Sequence, residues 1–160
     1  MRSCIIIATL IWGVFLPLDG LYSQISTGGT PPSFSHPDYF RKAIKVTKLP
    51  AVNMKKVWQE DEQHPGNSRF TTPILTDFNL DNSGRWTELD NGDRIWQIKI
   101  RSGKALALMV LYDQFYLPPG AQLFMYNEYK TQILGAYTSR NNRQSRQFMT
   151  GLIDGETAII

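Results

Sequence analysis

The sequence predicts an all-β fold, an antiparallel β-sandwich of jelly-roll type, preceded by a signal peptide and a flexible lead-in with one short helix. Three observations predict it. Between Arg85 and Thr138, short runs alternate apolar and polar residues, which is the period of a half-buried strand. The segments between the runs carry explicit turn residues, Asp90-Asn91-Gly92-Asp93 and Leu117-Pro118-Pro119-Gly120 among them. Nothing elsewhere in the chain is as strongly patterned.

From the N-terminus, residues 1–23 read as a secretory signal peptide. Arg2 supplies the positive charge, and Cys4 to Leu18 is apolar apart from Thr9, Gly13 and Pro17. That run falls short of the about 20 apolar residues a membrane helix needs. The expected product is secreted or held at the cell surface. It has no integral membrane segment after cleavage near Ser23–Gln24. Residues 24–48 read as the flexible lead-in. Gln24 to Pro37 is rich in Ser, Thr, Gly and Pro, with Phe34, Tyr39 and Phe40 available to dock on the domain surface.

Residues 49–160 read as the domain itself. Val52 to Asp61 has helical spacing, with Asn53 as the cap and Met54, Val57 and Trp58 on one side. Arg69 to Phe78 reads as an edge strand broken by Pro73. Asp81-Asn82-Ser83-Gly84 is a turn. Arg85–Leu89 and Arg94–Ile100 are the arms of a hairpin. Asn91 and Gly92 between them suit a two-residue type I′ turn, since both accept φ > 0. Trp96, Ile98 and Ile100 share one face.

Ala105 to Tyr112 is apolar on both faces, and the turns around it favour a central strand over a helix. Pro119 and Gly120 suit the two middle positions of a type II turn. Ala121–Tyr126 and Thr131–Thr138 are further strands, with Gly135 marking a bulge or a close approach. A last strand begins at Glu156 and reads as cut short at Ile160. The expected core is Trp96, Ile98, Leu106, Leu108, Val110 and Leu123.

Composition excludes several chemistries. Cys4 is the only cysteine, so the chain after cleavage has no disulfide, thiolate nucleophile or cysteine zinc site. His36 and His64 are the only histidines, and neither sits in a ligand-like spacing. No G-x-S-x-G elbow, phosphate-binding glycine loop or dinucleotide fingerprint is present. The expectation is a chain with no catalytic residues, no metal and no cofactor. The formal net charge is +3. Arg140, Arg143 and Arg146 among Asn, Gln and Ser read as a solvated loop, and nucleic acid is not an expected partner. Aromatic residues are numerous. Most belong in a core, but Tyr116, Tyr126 and Tyr129 lie beside turns and are the candidates for a ligand-facing, sugar-stacking platform.

A resemblance adds a function. Leu49-Pro50-Ala51-Val52, Glu60-Asp61-Glu62, Arg69-Phe70 and Gly84-Arg85-Trp86 come first. Gly92-Asp93-Arg94-Ile95-Trp96, Arg101-Ser102 and Leu117 to Tyr126 follow. In this order they resemble the N-terminal, non-catalytic region of secreted bacterial trypsin-like serine proteases of the lysyl-endopeptidase type. That family carries a W-x-(I/L)-x-(I/L)-x-S strand, here Trp96 to Ser102. It also carries an LPPG-x-x-L-F-(I/V)-Y hairpin, here Leu117 to Tyr126. The resemblance runs from about Leu49 to Ile160. It implies a β-sandwich accessory or propeptide-like domain that assists or inhibits a downstream protease domain, which would be its partner. The family's catalytic His, Asp and Gly-Asp-Ser-Gly-Gly have no counterpart here, so no catalytic residue carries over. The alternative is a secreted module that binds a glycan or a cell surface.

Overall fold

The computed structural model describes residues 25–40, 43–66 and 69–160. Residues 1–23, read as a signal peptide, and the Ser23–Gln24 junction lie outside them. The described chain is mostly strand. In order come β1 (Val46–Lys48), β2 (Arg85–Glu88), β3 (Arg94–Gln97), β4 (Lys99–Arg101), β5 (Ala107–Leu108) and β6 (Leu111–Tyr112). Then follow β7 (Leu123–Asn127), β8 (Ile133–Tyr137), β9 (Phe148–Met149), β10 (Ile153–Asp154) and β11 (Thr157–Ile159). Helix α1 (Pro32–Ser35) and helix α2 (Met54–Gln63) precede the main strands. The all-β expectation holds. No described helix is long and apolar enough to cross a membrane.

The central element is a five-stranded sheet in the order β1-β4-β11-β7-β8. Its neighbours are antiparallel except for β1, which runs parallel to β4. The last strand therefore lies in the middle, paired on both sides. An open ladder along that strand, the consequence expected of a strand cut short at Ile160, is not present. Ile98 and Ile160 also exchange both backbone hydrogen bonds, at 3.1 and 3.0 Å, so β3 and β4 form one extended run through Ile98.

A long ribbon lies against this sheet. β6 pairs β9 and β5 pairs β10, both antiparallel. The register shifts by one residue between the two pairs, from Leu111↔Met149 to Leu108↔Ile153. Thr150 accommodates the extra residue. Its backbone N–H donates to the Val110 carbonyl at 2.9 Å. Its hydroxyl accepts from the Val110 N–H at 3.0 Å and donates to the Gly151 carbonyl at 2.9 Å. The hydroxyl is thus satisfied where it is buried, which spares the cost of an unpaired group. Ala105–Tyr112 is accordingly two short edge pieces and not the central strand its apolar run predicts. Leu106 is 92% exposed and Leu111 is exposed as well.

One core cluster lies between ribbon and sheet, with Ile98, Ile100, Met125, Ile153 and Ala158 at its centre. Trp96, Leu108 and Val110 pack partly buried against it. A second cluster, at one end, stacks Phe115 on Phe148 at 4.3 Å, with Tyr137 edge-on to Phe148 at 4.8 Å. Leu123 packs at its margin. Five of the six residues expected in the core thus contribute to it. Leu106 does not, because the strand carrying it is an edge.

The lead-in is docked on the domain. Thr27 donates to the Ala136 carbonyl and Ala136 donates to the Gly28 carbonyl, at 3.0 and 3.1 Å, along the outer edge of β8. Phe34 packs edge-on against Tyr126 at 4.8 Å, as a docking aromatic should. The Ser33 and Tyr126 hydroxyls lie 3.3 Å apart. β1 then pairs with β4 at the far edge. The described part of 25–48 thus runs as a strap from one edge of the sheet to the other. It covers Phe124 and Tyr126, the face of β7 opposite Met125.

The turns follow their residues with one change. Gly92 donates to Leu89 and Leu89 donates to the Asp93 carbonyl, at 2.9 and 2.8 Å. Gly92 has φ +86° while Asn91 keeps a negative φ. This is the three-residue loop ending in a left-handed glycine, not the two-residue type I′ turn. The Ala121 N–H bonds to Pro118 O at 3.1 Å with Gly120 at φ +87°, as the type II turn requires. At Gly135, φ is +108° and a Cβ would clash with the Leu123 carbonyl oxygen. The β7–β8 register shifts at that point, so the expected bulge is there.

Candidate functional site

The three tyrosines expected to face a ligand do not form a platform. Tyr126 is 5% exposed, because its place on β7 puts it under the strap. Its hydroxyl accepts from Gln97 Nε2 at 3.2 Å, and burial raises its pKa above the usual phenol value. Tyr116 and Tyr129 are 63% and 82% exposed. They lie beyond opposite ends of β7 and do not converge. Position beside a turn is the signal they share, and it does not say which face of the sheet a side chain occupies.

The described surface that departs most from an ordinary one is apolar and runs through residues 54–86. Asn53 caps α2 as expected, its Oδ1 accepting from the Lys56 N–H at 3.2 Å. Only Val57 of the helix is buried. Met54 and Trp58, expected on the packed side, are exposed. The segment expected as an edge strand, Arg69–Phe78, forms no strand. Its side chains lie largely in solvent, with Phe70 76% and Leu75 94% exposed, and Phe78, Leu80 and Trp86 are exposed as well. Apolar groups this numerous in one region mark a contact surface more often than a free one.

A groove of about 300 Å³ lies between α2 and this segment. Pro50, Val52, Val57, Pro73 and Ile74 give it an apolar lining, and Lys56, Glu60 and Arg69 a charged one. Arg69 bonds Glu60 at 2.8 Å and Asp61 at 2.9 Å. That guanidinium holds the Glu60 carboxyl below the usual carboxylate range. These charges are spent on one another, which makes the groove a shape feature more than a reactive one.

Two indoles anchor the far end of the surface. Trp86 Nε1 donates to the Leu80 carbonyl at 3.1 Å, and Trp96 Nε1 to the Ser83 carbonyl at 2.8 Å. Arg94 lies over the Trp86 ring, 5.0 Å from its centroid, within cation–π range. Gly84 sits at φ +72°, where a Cβ would come 2.6 Å from the Gln97 carbonyl and the Trp96 ring. Packing thus accounts for Gly84.

His36 and His64 are both exposed. His64 ends α2, its N–H bonded to the Asp61 carbonyl at 3.1 Å and its Nδ1 2.9 Å from the Glu60 carbonyl. Among the described residues no three His, Cys, Asp or Glu side chains are placed to hold a metal ion. No protein-family model matches the chain, and no solved structure matches it.

Proposed function

We propose that this chain is the non-catalytic, propeptide-like β-sandwich domain of a secreted trypsin-like serine endopeptidase of the lysyl-endopeptidase type. In this reading it assists the folding of the protease domain or inhibits it until processing. The observation that carries the reading is the exposed apolar surface of Met54, Trp58, Phe70, Leu75, Phe78 and Leu80. A secreted module has reason to leave such a surface bare when a partner covers it. The two segments that carry the resemblance support it as well. Trp96–Ser102 contains β4 and Leu117–Tyr126 leads into β7, and these strands flank β11. The packing of the ribbon on the sheet around one core supports the sandwich reading.

Two measurements test the proposal. An in-frame Gly-Asp-Ser-Gly-Gly beyond the codon for Ile160 is expected. The protease domain it belongs to should then bind this chain, and Phe70→Ser with Leu75→Ser should weaken that binding about tenfold or more. An open reading frame without that sequence, or a protease domain that does not bind, removes the proposal. The glycan reading keeps Tyr116 and Tyr129 as exposed rings but loses Tyr126.

A further inference from the structure

Helix α2 turns one side inward and leaves the other bare. Val57 is its buried residue, and Asn53, Lys56 and Glu60 line the groove with it. Met54, Trp58 and Glu62 recur at every fourth position and so form a stripe along the helix, on the side away from Asn53, Val57 and Glu60. Lys55 stands beside that stripe. Met54 is 45% and Trp58 62% exposed, and Lys55 and Glu62 are exposed as well. The charges of α2 divide in the same way. Lys56 pairs with Glu60 at 3.8 Å, and Arg69 holds Glu60 and Asp61. Lys55 and Glu62 make no ion pair among the described residues. They lie about two turns apart, the cation N-terminal to Trp58 and the anion C-terminal to it.

We propose that this outer face of α2 is a self-association site, on which a second copy of the chain packs its own α2 antiparallel about a two-fold axis. The order of the charges selects the occupant and its direction. An axis passing between Trp58 and Gln59 brings Lys55 level with the partner's Glu62, and Glu62 level with the partner's Lys55. Both pairs fall on the same side of the contact. The two Trp58 rings then meet across the axis, each flanked by a Met54. A parallel copy would set Lys55 against Lys55 and Glu62 against Glu62. The patch is thus complementary to itself, as a two-fold contact between identical chains requires. Tryptophan at its centre is the side chain that most often dominates such a contact. The area is small, below the about 1,200 Å² of a stable complex. The dimer is therefore a transient one, with a dissociation constant on the order of 0.1 mM. It uses neither Phe70 nor Leu75 and forms from the chain alone, so it does not depend on the protease reading.

Sedimentation of the full chain, followed up to about 1 mM, is the test. Wild type should pass from monomer to dimer across that range. Trp58→Ser should weaken the dimer about tenfold or more. Lys55→Glu alone and Glu62→Lys alone should each weaken it about fivefold, because each turns two attractive pairs into two repulsive ones. An equimolar mixture of those two variants should recover the wild-type affinity, and so should the double variant Lys55→Glu with Glu62→Lys. All these side chains are exposed, so the far-UV circular dichroism of every variant should match wild type, which separates lost association from lost fold. Three outcomes overturn the proposal. One is a chain that stays monomeric at about 1 mM. Another is a dimer that Trp58→Ser leaves unchanged, including one that Phe70→Ser with Leu75→Ser abolishes instead. The third is a double variant that associates no better than the single ones, which would show that Lys55 and Glu62 do not meet.

Discussion

Phe34 meets Tyr126 edge to face, ring centroids 4.8 Å apart and planes at 85°. This contact fastens the lead-in across the sheet, and Lys130 Nζ lies over the Phe34 ring, 4.5 Å from its centroid. Phe34→Ala should cost about 1–3 kcal/mol and speed proteolysis within residues 25–40. Tyr129→Ala, at an exposed ring nearby in sequence, should leave the cleavage rate unchanged. Equal protease sensitivity in wild type and Phe34→Ala would mean that the contact does not hold the strap.

Burial separates two leucine-like positions that the sequence treats alike. Ile98 is central to the core cluster and Leu106 is not part of it. Ile98→Ala should lower stability by about 2–5 kcal/mol. Leu106→Ala should change it by no more than about 0.5 kcal/mol. Denaturant midpoints of the two variants decide the matter, and a large loss at Leu106 would contradict the edge position of β5.

Gly84→Ala should destabilise by more than about 1 kcal/mol. The positive φ and the Gln97 carbonyl leave no room for a Cβ, so the 80–84 turn must move away from Trp96. Gly103→Ala is the control. Nothing lies within 4 Å of its Cβ position and its φ is ordinary, so a neutral or slightly stabilising effect is expected. Thermal midpoints and the tryptophan emission of Gly84→Ala give the readout.

The pH profile should fall at both ends. Arg101, with the Lys104 backbone N–H, lowers the Glu156 pKa below 4.5, and Lys99 lowers that of Glu128. A carboxyl with a depressed folded pKa contributes fully above its unfolded value and loses that contribution as pH drops through the folded one. Stability should therefore decline below about pH 4.5. Burial raises Tyr126 and Tyr137 above 10.0, and Tyr112 further, with Tyr137 adding to the rise at Tyr112. Their contribution is complete below the unfolded value and is lost as pH climbs past it. Glu156→Gln should shallow the acid limb only. An unchanged acid midpoint in that variant would show that the Arg101 pair is not linked to folding.

The bare surface of 54–86 predicts binding without stability. Phe70→Ser and Leu75→Ser remove side chains that the fold does not bury. Each should alter the melting temperature little while together they reduce the binding of an apolar dye. A large loss of stability would show that these side chains pack inward in solution.

Local chemistry was readable and long-range pairing was not. Gly120 and the Asn53 cap act through their own backbone neighbourhood, and the sequence placed both; it placed Gly135 too, whose close approach is to Leu123 on the paired strand. The Ala105–Tyr112 run misled because apolarity on both faces reads as a central strand. Leu106 and Leu111 instead lie on an edge, and the register slips at Thr150. The central position of β11 depends on β4 and β7, which no local pattern links to it. Tyr126 was placed beside a turn correctly, but its face was decided by a strap whose pairing partner, Ala136, lies more than a hundred residues away in sequence.

The position of β11 between β4 and β7 has a consequence for biosynthesis. It comes later in the chain than every strand it joins. While the polypeptide emerges, β7 and β8 can pair as a hairpin, and β1 can find β4. The two halves have no common partner until β11 is released. Until then each half carries an unmatched inner edge and an uncovered apolar face, at the stage when nascent chains are most exposed to misassociation. Completion of this sheet is therefore a single late event that waits for β11 and not for the early hairpins. A holding factor that shields those inner edges during synthesis would act on this intermediate and find no target once β11 is in place.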